Sequence, residues 1–141
     1  MSEQQPINQE SQWAEHEQNL RTLAAQGDVE ACYQLVVYFE NQFFSTEVEE
    51  AQQRVNLLVD ASNAKHAAAS LLLGRWYLQG HYVEANLQHA IAFFEFAANE
   101  CQSSDAYNEL ANLYLQGVFV VVNQEKAMHY LKKAVALKNA E

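Results

Sequence analysis

The sequence predicts an all-α protein: three stacked helical hairpins forming a solenoid, with one further helix in front of them. Three observations predict this. The stretch LLLGRWYLQG (71–80) returns 37 positions later as NELANLYLQG (108–117). In both copies the apolar residues recur every three to four positions, the period of one helix face. Finally, 141 residues contain only four Gly and one Pro while half are hydrophobic. Turn-rich β folds need many more turn residues than that.

Taken in chain order, residues 1–9 are polar and acidic and read as a disordered tail, ahead of a single domain at 10–141. Ser11 is placed to cap a helix carrying Trp13, Leu20, Leu23 and Ala24 on one side. The first hairpin, roughly 28–62, is a worn copy of the others: Ala31, Leu35 and Phe39 match Ala69, Leu73 and Tyr77 at an offset of 38. Thr46 and Glu49 form a capping box ahead of Ala51, Val55 and Leu58, the second helix of that hairpin. In the second hairpin, 66–101, Ala69, Leu72, Leu73, Trp76, Tyr77 and Gly80 line one helical face, and Ala90, Phe93, Phe94 and Ala97 line the next. The third, 104–139, repeats both faces through Ala106, Leu110, Tyr114, Gly117, Ala127, Tyr130, Leu131 and Ala134. Gly80 and Gly117 stand where a helix ends in a left-handed residue. Asn86 and Asn123 stand where the second helices need N-caps. A lone hairpin cannot bury its apolar stripe, so successive hairpins must stack.

Charge is uneven. Residues 1–50 hold ten acids and one base (Arg21), and the whole chain carries a net charge of −10. That field repels phosphate, which makes nucleic acid and anionic lipid surfaces poor partners and favours a basic protein segment. No run approaches the roughly 20 apolar residues of a membrane span, and the N-terminus has no secretory leader pattern. Cys32 and Cys101 lack metal or redox spacing and read as buried thiols. The expected location is the cytoplasm.

Catalytic groupings do not emerge. His16, His66, His81, His89 and His129 fit neither HExxH nor any Cys/His ligand spacing, and there is no GxSxG or phosphate loop. Glu47, Glu49 and Glu50 suit a helix N-terminus electrostatically. The expectation is a non-enzyme with no cofactor and no metal.

The residues Ala69, Leu73, Gly74, Tyr77, Gly80, Ala90, Phe93, Phe94 and Ala97, echoed by Ala106, Leu110, Tyr114, Gly117, Lys126, Ala127, Tyr130, Leu131 and Ala134, resemble the Sel1-like repeat, a relative of the tetratricopeptide repeat. AAQGDVEACYQL (24–35) looks like the junction between two such repeats. The sequence departs from the pattern at three places. The glycine that follows Leu in the repeat pattern is Ala111 in the third unit and Val36 in the first, and a second loop glycine is replaced by Tyr82 and Phe119. The first unit has NQFFSTEVEE in place of its loop glycine, which leaves its geometry open. The resemblance implies a right-handed α-α superhelix. It also implies an adaptor or scaffold that binds other proteins, in bacteria often within envelope, secretion or signalling assemblies.

In such stacks the first helices line the concave face. Their positions off the core are Glu30, Tyr33, Val37, Glu40 and Asn41, then Ala68, Leu71, Arg75, Leu78 and Gln79, then Asp105, Asn108, Asn112, Leu115 and Gln116. Apolar residues, amides that pair with a peptide backbone, and acids together describe a groove for an amphipathic, partly basic segment of another protein. Leu71 and Leu115 have an alternative reading as residues buried between hairpins. An alternative function is a structural or inhibitory, immunity-like subunit acting by weak self-association or by blocking a partner. It would work through the valine-rich loop GVFVVVN (117–123) or through the chain ends, where Lys132, Lys133 and Lys138 oppose the acidic N-terminal half.

Overall fold

The computed structural model describes residues 9–42 and 48–140. These residues form seven helices: α1 (Gln9–Ala25), α2 (Val29–Gln42), α3 (Val48–Asn63), α4 (Ala67–Gln79), α5 (Leu87–Asn99), α6 (Ser104–Gln116) and α7 (Gln124–Asn139). No strand occurs among the described residues. Each helix packs chiefly on the helices before and after it, most extensively within the pairs α4/α5 and α6/α7. The result is a right-handed α-α superhelix, with α2/α3, α4/α5 and α6/α7 as its hairpins and α1 stacked in front.

The caps follow the sequence pattern. Asn86 accepts from the His89 N–H and Asn123 from the Lys126 N–H, while Gly80 and Gly117 end α4 and α6 at φ of 74° and 67°. Two further caps complete the set: Ser103, a favoured capping type, starts α6 by accepting the Ala106 N–H, and the His66 ring, which no capping pattern marks, starts α4 by accepting the Ala69 N–H. Ser11 lies inside α1, which is already helical at Gln9, so the helix does not start at Ser11. The Thr46 capping box, and the expected tail apart from helical Gln9, lie outside the described residues, as does the side chain of Trp13. Leu20 is buried and Ala24 half-buried, but Leu23 is 42% exposed. Positions 20 and 24 share a face at 3.6 residues per turn, and position 23 sits on its edge.

The turns between hairpins also repeat. Gly27, Lys65 and Gln102 fall at the same place in three successive turns, with φ of 90°, 66° and 51°. Only the first has the residue type that adopts this region without a Cβ penalty. Tyr82, which replaces a loop glycine of the repeat pattern, likewise has a φ of 64°.

Packing explains why the copies differ. A Cβ on Gly74 would lie 2.6 Å from Cε1 of Phe94, itself 1% exposed. In the third hairpin the equivalent pair is Ala111 and Leu131. A methyl group has been added on one helix where the facing side chain is smaller, so the interhelix space stays filled. The first hairpin solves the same problem differently. Matching Leu58 and Ala61 to Phe94 and Ala97 puts Arg54 where Ala90 stands, and Arg54 is only 3% exposed.

A concave cleft across three hairpins

The first helices α2, α4 and α6 lie side by side, and between them opens a cleft of about 380 Å³. Its floor is Leu71 and Leu72, its walls are Tyr33 from α2 and Arg75 from α4, and α6 contributes Asp105, Asn108, Glu109 and Asn112. Seven residues expected on the concave face are therefore brought together: Tyr33, Ala68, Leu71, Arg75, Asp105, Asn108 and Asn112.

Electrostatic contacts lace the rim between hairpins. Arg75 Nη2 donates to Glu109 Oε1, joining α4 to α6. His66 Nε2–H donates to Glu30 Oε2 while its Nδ1 accepts the Ala69 N–H at 3.2 Å, so one neutral tautomer serves both bonds. Gln34 donates to the other Glu30 oxygen at 2.8 Å. The Gln34 amide, and after it His66, hold the Glu30 carboxyl below its ordinary value of 4.5. The Tyr33 ring packs on the His66 ring with centroids 4.8 Å apart. Asp105, Asn108 and Asn112 make no hydrogen bond within the described residues through their side chains, so their donors and acceptors face solvent.

Other expected site residues are placed differently. Leu71 is 7% exposed and belongs to the core with Ala98 and Tyr107, because α5 and α6 close over it. It can floor the cleft but cannot serve as a protruding anchor. Leu78 is half-buried against the same core, and Val37 is half-buried on α2. Gln79, Leu115 and Gln116 are exposed but do not line the cleft.

Glu40 is committed internally. Its Oε1 accepts from Arg54 Nη1 at 2.8 Å and its Oε2 pairs with His81 Nε2 at 3.1 Å. Arg54 also donates to the Tyr82 hydroxyl at 2.7 Å and stacks over the Phe39 and Tyr82 rings. A guanidinium buried at an alanine position demands a carboxylate, and Glu40 supplies it. The only sequence signal was Arg54 falling on Ala90 once the second helices are aligned. Glu109, the cleft acid absent from the expected set, had a subtler one: it sits one turn before Asn112, the repeat-equivalent of Arg75.

Among the described residues no three His, Cys, Asp or Glu side chains gather as a metal site. No helix among them is long and apolar enough to cross a membrane. Both cysteines are free; Cys32 is buried as expected but Cys101, just past the end of α5, is only half-buried, and desolvation pushes both thiols up from their ordinary value.

The Sel1 repeat family model matches residues 67–100 and 104–139, which are the second and third hairpins with their capped turns. These two hairpins are Sel1 repeats. Sel1 repeats generally mediate protein–protein interaction. The chain is similar in fold to a Sel1 repeat protein from Oxalobacter formigenes at 24% identity and a TM-score of 0.69, over 84% of this chain and 34% of that one. It is also similar to a protective antigen of uropathogenic Escherichia coli that displays an SLR fold, at 21% identity and a TM-score of 0.70, over 85% of this chain and 25% of that one. The chain thus spans about a third and a quarter of those structures. No curated protein sequence matches it.

Proposed function

We propose that the chain is a non-catalytic binding module that holds a segment of another protein in the concave cleft. The observation that carries this reading is the cleft itself. It crosses three hairpins, has an apolar floor, and displays two unpaired amides one helical turn apart, Asn108 and Asn112. An amide offers both a donor and an acceptor and can therefore hold a peptide group from either side. Asp105 and Glu109 lie beside them and Glu30 stands near the rim, so the preferred segment is amphipathic and carries Lys or Arg. Arg75 is already matched by Glu109 and adds little net positive charge. The location remains cytoplasmic in this reading. The two structures of similar fold named above come from bacteria, and an adaptor within a bacterial assembly is the setting proposed here.

A displayed peptide library panned on the wild-type chain tests the idea. Enriched peptides should combine a base with apolar residues and should lose affinity for Asn112→Ala and Asp105→Asn, both exposed changes that leave the fold intact. Peptides that bind these variants as well as wild type would move the site off the concave face.

A second reading has its own observation. Val120 in the α6–α7 loop packs on the core of Ala111, Tyr114 and Ala127, but Val118 and Val121 are 73% and 89% exposed and stand clear of it. A structural or inhibitory subunit would use that loop, and its binding would respond to Val121→Asp and not to Asn112→Ala.

A further inference from the structure

Among the described residues, nine large apolar side chains stand exposed, and seven of them lie between Leu115 and Val135. The internal repeat shows why they are concentrated there. Two of them, Met128 and Val135, are the α7 equivalents of Ile91 and Ala98 on α5, where α6 packs. Ala98 is 1% exposed and Ile91 half-buried, whereas Val135 and Met128 are 58% and 51% exposed. Three more are replacements: His81, Glu84 and Ala85 of the second hairpin become Val118, Val121 and Val122 in the third. The third hairpin is therefore more apolar on this side than the one it copies, so its outer face is suited to a contact rather than to water. A broad cleft of about 770 Å³ also runs along the first half of α7, lined by Met128, His129 and Lys132 among others.

Charge points to the occupant. Helix α7 carries four lysines against one acid, whereas α1 carries three acids against one base. Lys132 and Lys138 are exposed and make no ion pair within the described residues, and neither does exposed Glu15 on α1. Leu23 on α1 is one of the two remaining exposed large apolar residues.

We propose that this end of the molecule docks a second copy of the same chain, whose α1 lies antiparallel along α7. Setting the second copy's Leu23 over Met128 carries Glu15, eight residues or about 12 Å away along the helix, to the stretch between Lys132 and Lys138. Apolar then meets apolar and acid meets base. The contact is head-to-tail, so each copy keeps a free α1 or a free α7 and association does not stop at two. The surface is small and mostly flanked by charge, which makes the contact weak and sensitive to salt.

Sedimentation velocity over a concentration series tests this. The weight-average sedimentation coefficient should climb with concentration at low salt without a plateau at the dimer. It should fall back to the monomer value in about 1 M salt, where the Debye length is about 3 Å. Glu15→Lys and Lys132→Glu should each abolish the climb, and an equal mixture of the two variants should restore it, because the reversed charges again face their opposites. Circular dichroism confirms that both variants are folded, as expected for exposed positions. Three results would overturn the proposal: a monomer at every concentration, a dimer indifferent to salt and to Glu15→Lys (pairing through the valine loop instead), or a mixture that stays monomeric.

Discussion

Substituting Gly74 by Ala brings a methyl carbon to 2.6 Å from Phe94 Cε1 and 2.7 Å from its Cδ1. The Phe94 ring is almost fully buried and pinned by Leu71, Ala97 and Leu110, so it cannot swing clear. Overpacking of this kind costs about 1–3 kcal/mol. Replacing glycine inside a helix returns about 1 kcal/mol of propensity. The net expectation for Gly74→Ala is a loss of about 1 kcal/mol, a drop of roughly 3–4 °C in Tm for a chain of this length. Phe94→Leu alone leaves a void above Gly74 and costs about 1–2 kcal/mol. Together the two changes recreate the third hairpin's Ala111 and Leu131, in which the methyl fills the space the ring vacated. The double variant should therefore be more stable than the sum of the singles predicts, by about 1 kcal/mol or more. Urea unfolding of the four proteins measures that coupling. Additivity to within about 0.5 kcal/mol, or a Gly74→Ala protein as stable as wild type, would refute the reasoning that the hairpins exchange volume between facing positions.

Lys65→Gly and Gln102→Gly should each stabilise the fold by about 0.5 kcal/mol, since relief of a left-handed Cβ conflict exceeds the added chain entropy. Gly27→Ala should cost about 1–2 kcal/mol at the matching turn. Thermal unfolding compares all three. Glu40→Ala should destabilise by about 2–3 kcal/mol by leaving the Arg54 guanidinium buried without its carboxylate, while Arg54→Met with Glu40→Gln should recover most of that loss. Glu30 gives a pH dependence. Its carboxyl is held below 4.5 in the folded chain, so its contribution is fully present above that value and is lost as pH falls through the lower, folded one. Unfolding followed from neutral to acid should accordingly flatten in Glu30→Gln.

The sequence by itself determined the architecture. Hairpin stacking follows from periodicity and repetition, which are local properties of the chain, so α2 and α4–α7 and the caps at Asn86, Asn123, Gly80 and Gly117 were legible. The concave placement of Tyr33, Arg75, Asn108 and Asn112 was legible for the same reason, since position in the repeat fixes position on the face. Ser11 misled because a capping residue type is also tolerated inside a first turn. Only the tertiary structure decided which concave residues are free. Leu71 is taken by the closure of α5 and α6, and Glu40 is taken by an arginine fourteen positions away on the next helix. Whether a side chain meets a partner or its own core depends on interhelix distances. Those are set by pairs such as Gly74 with Phe94 and Arg54 with Glu40, whose members lie in different helices and whose meeting no single stretch of sequence records.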